Sequence, residues 1–296
     1  FLKNLGMSGK ERRKVYRKEI CFYYVFPTCI LLAAMGLFLR AVLSARMFPE
    51  AIAEMCIRME MLLIAGVLNV LLRTENMSRK YVISDRRETE IEVLKDINLE
   101  IREQEFISIM GKSGSGKTTL LKLLGLIDRP TSGKLYFKGV DSEELRGDRL
   151  ARIRRQEMGF VYQDYYLLDS LSVFENIMLP MILDHKDDKI CKEEAEKLAV
   201  SFQIQNLLGK YPYELSGGEK QRTAICRALV NQPDVIFADE PTGNLDSRST
   251  EIVMDVFSMI HSKMHKTVIM VTHDISVAEY SERTLYIEDG KITEDR

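Results

Sequence analysis

The sequence predicts an α/β fold from about residue 70 onward, and three observations support this prediction. Short apolar runs indicate strands, and these runs are "EVLKDINLEI", "EFISIMG", "VIFADEP", "TVIMVTH" and "RTLYIEDGKI". Several of them are continuously apolar, which is typical of strands covered on both faces of a sheet. Helical stretches and turn residues alternate with the runs, and a glycine-rich turn joins the second run to a helix. Together these features are typical of an α/β domain.

The composition leaves room for one large domain and an appendage. Of the 296 residues, 46% are hydrophobic and 29% are charged, which is enough to bury a sizeable core. The 42 Lys and Arg residues nearly balance the 44 Asp and Glu residues, giving a net charge of -2, so the sequence predicts no nucleic-acid partner. Five scattered cysteines form no Cys-x-x-Cys pair, which argues against a disulfide framework or a zinc site and favours a reducing, cytosolic setting for most of the chain.

The N-terminal part differs in character from the rest. The chain starts with Phe1 and shows no signal peptide, so we expect it to begin inside a longer chain. Residues 20–39, "ICFYYVFPTCILLAAMGLFL", contain no charged side chain over about the length of a membrane-spanning helix, and they are the candidate transmembrane helix. Lysines and arginines precede this stretch, which predicts a cytosolic N-terminal side. A buried core helix is the alternative.

A second apolar stretch lies at 51–72. It carries Glu54, Arg58 and Glu60, and a charge at the centre of a membrane helix costs about 2.5–3.5 kcal/mol. We therefore expect a membrane span here only if those charges lie near the interface. The last residues of the stretch, which open "LLRTENMSRKY", are better explained as the first strand of the following domain, running into a turn. The number of membrane crossings within residues 1–70 stays open.

A glycine-rich loop predicts a phosphate-binding site. In "EFISIMGKSGSGKTTLLKLL" a strand leads through this loop into a helix at the full P-loop spacing. Glycines let successive backbone N–H groups turn onto the phosphates, Lys117 reaches the β- and γ-phosphate oxygens, and the Thr118 hydroxyl ligates Mg²⁺. The candidate nucleotide-binding residues of the loop are Gly111, Lys112, Ser113, Gly114, Ser115, Gly116, Lys117, Thr118 and Thr119.

Two further strand ends carry candidate catalytic groups. Asp239 and Glu240 follow an apolar strand, so Asp239 can hold Mg²⁺ while Glu240 orients or deprotonates the water that attacks the γ-phosphate. Paired acids on a solvated turn are the alternative for this motif taken alone. His273 follows the strand in "TVIMVTHD", where it can contact the γ-phosphate. A lone histidine is more often structural, but the neighbouring motifs favour the catalytic interpretation.

Taken in order, the motifs resemble those of the ATPase subunits of ABC transporters. They are the P-loop, "VYQD" with Gln163, "LSGGEKQR", "VIFADEP", "GNLDS" with Asp246, and "VTHD" with His273. The motif "LSGGE" departs by one residue from the commonest "LSGGQ", a change within the usual range of the family. The resemblance covers about three-quarters of the chain. It implies a P-loop NTPase of the ABC ATPase type over residues 70–296, with a RecA-like core, an antiparallel β subdomain and a helical subdomain at about 164–222.

The resemblance also implies ATP and Mg²⁺ as cofactors, a second ABC ATPase domain as partner, and the remaining site residues. In ABC ATPases two domains pack head to tail, and here the loop formed by Ser216, Gly217 and Gly218 is implied to cap the γ-phosphate held by the other domain. A loop with little side-chain bulk at a helix N-terminus suits close approach to an anion. Tyr81 in "SRKY" is implied to stack on adenine, and Asp246 to cross the dimer interface. The implied catalytic residues are Lys117, Gln163, Glu240 and His273, and the implied metal ligands are Thr118, Gln163 and Asp239.

Finer features resemble one bacterial group of these ATPases. The stretches "RIRRQEMGFVYQDYYLLDSLSVFENIMLPMIL", "YPYELSGGEKQRTAICRAL" and "ADEPTGNLDS" are most similar to ATPases that serve FtsX-fold permeases. The bacitracin-type peptide-antibiotic resistance group comes first, followed by the lipoprotein-release and macrolide-efflux groups. The first forty residues resemble the C-terminal part of FtsX-like permeases, which implies that residues 1–69 are a permease fragment ahead of the ATPase.

These resemblances imply an ATP-hydrolysing subunit at the cytoplasmic face of a bacterial cell membrane. We expect it to form a homodimer on binding ATP, to drive an FtsX-like permease, and to serve export of, or resistance to, an antimicrobial peptide or antibiotic. The alternatives are a lipoprotein-release-type ATPase and a regulatory ABC ATPase that signals through a permease-like partner, for example to a sensor kinase, without moving substrate. A soluble ABC protein of translation or repair is disfavoured, because it would need two cassettes or a long coiled insertion.

Overall fold

The structure is a computed structural model that describes residues 69–85 and 87–296 of the chain. Residues Asn69–Arg296 form one compact unit. The candidate transmembrane helix at 20–39 and nearly all of the permease-like segment at 1–69 lie outside the described residues. Among the residues that are described, no helix combines the length and the apolar character needed to cross a bilayer.

One sheet of the unit is antiparallel. Its strands are β1 (Val70–Asp85), β2 (Arg87–Arg102), β4 (Ser132–Phe137) and β5 (Val140–Asp141), in the spatial order β2-β1-β4-β5. The prediction that a strand begins near residue 70 is confirmed. The predicted turn after it is wrong, because β1 continues beyond Tyr81 and absorbs irregular residues as register shifts around Asn76, whose φ is 46°. A bulge of this kind lets one long strand twist without ending.

The second sheet is mostly parallel and carries four of the five predicted apolar runs, whereas "EVLKDINLEI" lies in β2 of the antiparallel sheet. Its strands are β3 (Phe106–Met110), β6 (Met158–Tyr162), β7 (Val235–Asp239), β8 (Thr267–Val271), β9 (Arg283–Glu288) and β10 (Lys291–Asp295), in the order β10-β9-β3-β8-β7-β6. Only the β9–β10 pair is antiparallel within this sheet. Every residue of β3 and β8 is buried, as expected of strands covered on both faces.

The register of the parallel strands places their carboxyl ends side by side. Ile109 of β3 pairs with Val271 of β8, Val271 pairs with Asp239 of β7, and Asp239 pairs with Tyr162 of β6. The segments that follow these four strands therefore emerge at one edge of the sheet. Ligand sites of open α/β sheets lie in the crevice at this edge.

Helices cover the parallel sheet. They are α1 (Lys117–Leu124), α2 (Gly147–Gln156), α3 (Val173–Ile182), α4 (Asp188–Ser201), α5 (Gly217–Leu229), α6 (Ser247–Ser262) and α7 (Ile275–Ala278). The region predicted as a helical subdomain at about 164–222 contains α3, α4 and the start of α5. Side chains of these helices share one apolar core with α6 and one side of the sheet, whereas α1 packs in a second core with the antiparallel strands. The helices on both sides of the parallel sheet are thus fixed by a packed apolar core.

Candidate functional site

The glycine-rich loop between β3 and α1 has the features of an anion-binding cradle. Lys117 is almost fully buried, and its ammonium group donates to the carbonyl oxygens of Gly111 at 2.8 Å and Lys112 at 2.9 Å. Within the described part of the chain, the backbone N–H groups of Gly116, Lys117 and Thr118 have no hydrogen-bond acceptor. The first turn of α1 contains no acidic residue. Free N–H groups at a helix N-terminus beside a buried cation suit the phosphates of a nucleotide.

Gly111 is required by the packing of this loop. Its φ is 152°, and a Cβ atom there would overlap with the carbonyl oxygen of Ile287 in β9. We predict that Gly111→Ala lowers the free energy of unfolding by at least about 1–3 kcal/mol, because a backbone atom cannot move aside as a flexible side chain does. The substitution should also lower the affinity for ATP, because Gly111 is part of the phosphate loop. Urea unfolding and equilibrium binding of ATP measure both quantities.

Gly114→Ala is the matched control for that substitution. Gly114 also has a positive φ, 79°, but a Cβ atom there would meet nothing within 4 Å. In this control only backbone strain should lower the free energy of unfolding, by about 1–2 kcal/mol. Equal losses for the two variants would show that the contact with Ile287 has no effect of its own.

The β7 end brings two candidate metal ligands together. The Thr118 hydroxyl donates to the Oδ1 atom of Asp239 at 3.1 Å. Burial raises the pKa of Asp239 above its usual range, while the hydrogen bond from Thr118 opposes this shift. A hydroxyl and a carboxylate are oxygen ligands of the kind that Mg²⁺ prefers. The two residues therefore fit a magnesium ion held beside nucleotide phosphates.

Glu240 and His273 also meet at this edge. The Nδ1 atom of His273 lies 3.3 Å from the Oε2 atom of Glu240. Glu240 has a φ of 46°, and its backbone N–H donates to the carbonyl oxygen of Val271 at 3.0 Å. Both side chains line a pocket shared with Leu245 and Thr272. A non-glycine residue in a left-handed conformation costs about 1–3 kcal/mol, and such residues are concentrated at functional sites.

Gln163 follows β6 and is bound to a residue that the sequence analysis did not single out. Its Nε2 atom donates to the Oδ1 atom of Asn244 at 3.1 Å, and the Nδ2 atom of Asn244 donates to the backbone oxygen of Gln163 at 3.2 Å. Asn244 lies inside the predicted motif "GNLDS". Its position two residues before Asp246 was the only available signal, since the contact spans 81 residues of sequence.

The loop after Gln163 is held by a second residue that the sequence analysis missed. Tyr165 and Tyr166 have φ values of 64° and 48°. The guanidinium of Arg227, in α5, donates to the backbone oxygens of both tyrosines. Two adjacent left-handed residues are unfavourable for non-glycine side chains, so this contact compensates for local strain.

Ser216, Gly217 and Gly218 open α5, with Ser216 exposed, Gly217 half-buried and Gly218 buried. The backbone N–H and the hydroxyl of Ser216 both donate to the Oε2 atom of Glu219 at 2.8 Å. The backbone hydrogen bond from Ser216 is the main cause that lowers the pKa of Glu219. Donation from the Ser216 hydroxyl to a phosphate would therefore require its release from Glu219, the residue at which "LSGGE" departs from the commonest sequence.

Asp246 caps the N-terminus of α6 within its own domain. Its Oδ1 and Oδ2 atoms accept from the backbone N–H and the hydroxyl of Ser249 at 2.9 Å and 2.8 Å. The backbone hydrogen bond lowers the pKa of Asp246. A Cβ atom at Gly218 would lie 3.1 Å from the Ser249 hydroxyl oxygen, so α5 and α6 begin close together. The predicted role of Asp246 across a dimer interface stays a prediction.

Tyr81 lies in the antiparallel sheet, and one face of its ring is already covered. The Arg79 guanidinium lies over the ring at 4.5 Å from its centre, and the phenol hydroxyl donates to Asp128 at 2.9 Å. The strand β2 of this sheet packs closely against the phosphate loop. A Cβ atom at Gly116 would lie 3.0 Å from the carbonyl oxygen of Val93 in β2. Stacking of adenine on Tyr81 stays a prediction.

Comparison with known proteins agrees with this site. The profile of the ABC transporter family matches residues 94–243. The chain is 46% identical over 201 residues to the lipoprotein-releasing system ATP-binding protein LolD of Aquifex aeolicus, covering 68% of this chain and 89% of LolD. It is 43% identical over 201 residues to the bacitracin export ATP-binding protein BceA of Halalkalibacterium halodurans, covering 68% of this chain and 79% of BceA.

A solved structure extends the likeness to the fold. The dimeric structure of the ABC transporter cassette MJ0796 of Methanocaldococcus jannaschii is similar with a TM-score of 0.70 and 38% identity, covering 76% of this chain and 98% of that one. The same cassette has been solved in a post-hydrolysis state with ADP and Pi. From the phosphate loop, the paired acids and these likenesses, we conclude that the chain belongs to the ABC transporter family and is an ATPase that binds ATP and Mg²⁺.

Proposed function

We propose that the chain is the ATPase subunit of a bacterial export system with an FtsX-type permease, which acts on an antimicrobial peptide or a similar amphipathic compound. The similarity to BceA, a bacitracin export protein, is the observation that supports this proposal most directly. Release of lipoproteins is the second candidate, favoured by the similarity to LolD. The permease-like character proposed for residues 1–69 agrees with a membrane partner of this type.

In the proposed mechanism, residues that follow different strands bind the phosphates, hold the metal and orient the attacking water. Lys117 and the free N–H groups of the phosphate loop bind the phosphates, and Thr118, Gln163 and Asp239 would hold Mg²⁺. When bound, the metal supplies positive charge that offsets the charge developing on the phosphate oxygens. Glu240 orients the attacking water and accepts its proton.

His273 and Tyr81 have supporting roles in this proposal. His273, 3.3 Å from Glu240, holds that carboxylate in place and contacts the γ-phosphate. Tyr81 offers the ring face that Arg79 does not cover to the adenine base. These contacts bind and orient the nucleotide, and they add no covalent step of their own.

A second copy of the chain completes each site in the proposal. The loop of Ser216, Gly217 and Gly218 is exposed or only half-buried at its first two positions, and it ends at the positive N-terminus of α5. We propose that this loop binds the γ-phosphate on the other subunit and that Asp246 lies at the same interface. The dimeric structure of MJ0796 supports this arrangement. Closure of the dimer at the cytoplasmic face of the membrane would then drive the permease.

The test of function uses the complex captured from native membranes through a tag on the chain and reconstituted in phospholipid vesicles. We expect bacitracin to stimulate ATP hydrolysis several-fold above the basal rate, because a bound substrate shifts the permease toward the state that favours dimer closure. Phosphate release measures the rate. The Glu240→Gln complex is the control for contaminating ATPases.

Other patterns of stimulation distinguish peptide export from lipoprotein release and from a regulatory ATPase. Stimulation by a synthetic triacylated lipopeptide and not by bacitracin would contradict peptide export and favour lipoprotein release. Stimulation by neither compound, with a signalling partner such as a sensor kinase raising the rate instead, would favour the regulatory ATPase that moves no substrate.

A further inference from the structure

We propose that Asn244 is a positioning residue that orients the side-chain amide of Gln163, so that the oxygen of this amide is the atom presented to Mg²⁺. The proposal rests on the metal-binding role proposed for Gln163 above. It concerns a residue two positions before Asp246, on the loop that leads from Glu240 to α6. Only the nitrogen end of each side-chain amide can donate a hydrogen bond, and only the oxygen end can accept one.

The surroundings of Asn244 determine the orientation of its own amide. The Nδ2 atom lies 3.2 Å from the backbone oxygen of Gln163 and 3.4 Å from the Oδ1 atom of Asp164. A carbonyl and a carboxylate are both acceptors, so the atom of Asn244 that faces them must be the nitrogen. The oxygen of Asn244 consequently faces the other way.

That oxygen determines the orientation of Gln163 in turn. The Oδ1 atom of Asn244 lies 3.1 Å from the end of the Gln163 side chain, and an oxygen there can only accept a hydrogen bond. The atom of Gln163 that faces Asn244 is therefore Nε2. Its Oε1 atom has no hydrogen-bond donor among the described residues and stays available as a ligand. An amide oxygen is a suitable ligand for Mg²⁺, whereas an amide nitrogen is not.

Gly243 supports the same side chain from the backbone side. A Cβ atom at Gly243 would lie 2.9 Å from Nε2 and 3.1 Å from Cδ of Gln163. The side chain of Gln163 thus lies flat against Gly243 while its end is bound to Asn244. Asn244 is exposed and Gln163 is half-buried, so this pair contributes little to the apolar core. Its expected effect is on the metal and not on folding.

The test measures ATP binding to the full chain at equilibrium, once with saturating Mg²⁺ and once with EDTA. The ratio of the two affinities reports the advantage that the metal gives. Loss of a group that orients a metal ligand typically lowers metal affinity by 10- to 100-fold. We expect Asn244→Ala to reduce the advantage by about 10-fold, with the affinity in EDTA and the thermal unfolding temperature unchanged. Asn244→Leu, which keeps the size of the side chain without its hydrogen bonds, should behave in the same way.

Gln163→Glu provides the matched control background. A carboxylate presents oxygen at both ends, so its orientation no longer matters for the metal. In that background Asn244→Ala should leave the Mg²⁺ advantage unchanged. A further loss of about 10-fold there would contradict the proposal, because Asn244 would then act on the metal by another route.

Gln163→Ala tests the metal role of Gln163 separately from the positioning role of Asn244. If it removes the Mg²⁺ advantage while Asn244→Ala does not, the inference about Asn244 is wrong and the role of Gln163 stands. If Gln163→Ala has no effect on the advantage, the metal role of Gln163 and the inference are both wrong. Equal weakening of ATP binding in Mg²⁺ and in EDTA by Asn244→Ala would show that Asn244 supports the loop in general, which also overturns the inference.

Discussion

Glu240→Gln should bind ATP with nearly normal affinity and hydrolyse it about 10²- to 10⁴-fold more slowly, since this is the usual contribution of a positioned general base. The amide has nearly the size of the carboxylate and fits the same backbone, but it cannot accept the proton of the attacking water. His273, whose Nδ1 atom lies 3.3 Å from the Oε2 atom of Glu240, keeps a hydrogen-bond acceptor in the amide oxygen. Phosphate release and equilibrium binding of ATP measure the two properties.

Glu279→Gln is the control for this experiment. Glu279 is exposed on the wall of the same pocket, so the substitution makes the same chemical change close to the site. We expect its rate of hydrolysis to equal that of the unchanged protein. Near-normal hydrolysis by Glu240→Gln would remove Glu240 from the proposed role of base.

The second large effect is expected at the surface of α5. In the Glu240→Gln background, which retains ATP, the chain should form dimers that depend on ATP. Adding Ser216→Arg should weaken dimerisation about 100-fold or more, equivalent to about 2.7 kcal/mol. The arginine adds bulk where the proposal needs close approach to a phosphate, and it can pair with Glu219 of its own chain. Light scattering of the full chain in detergent, with and without ATP, measures the dimer.

Ser262→Arg makes the same substitution at the far end of a different helix. Ser262 is exposed at the C-terminus of α6, away from the residues that open α5 and α6, so dimers should persist. An ATP-dependent dimer that survives Ser216→Arg would show that this loop does not complete a neighbour's site. Monomers under all conditions, even without the Ser216 change, would show that the chain needs its membrane partner to form the dimer.

The sequence predicted best what depends on local patterns. Continuous apolar runs predicted the parallel strands because burial on both faces leaves few positions in contact with water, and the first four residues of β7 and all of β8 are buried. The P-loop spacing predicted a strand, a loop and a helix that the structure contains. The length of β1 was not predictable from alternation, because its register shifts move side chains from one face to the other.

Contacts between distant segments were beyond the reach of such patterns. Asn244 and Arg227 meet their partners across 81 and 61 residues, and nothing in the sequence around either residue indicates the pairing. The hydrogen bonds from Ser216 to Glu219 are different, since a serine followed three residues later by a glutamate is a local signal of a helix start. That signal lies within "LSGGE", and α5 begins there.

The contact from Arg227 to the left-handed pair Tyr165 and Tyr166 has a consequence for the order in which the chain folds. The backbone conformation of the pair is intrinsically unfavourable for non-glycine residues, so support from outside the loop stabilises it. The stabilising side chain is made 61 residues after Tyr166, so a chain growing on the ribosome contains the loop long before it contains the support. The segment after β6 therefore has to wait for α5 to be synthesised and docked. We expect it to reach its native form no earlier than α5, although the chain has synthesised it well before that helix.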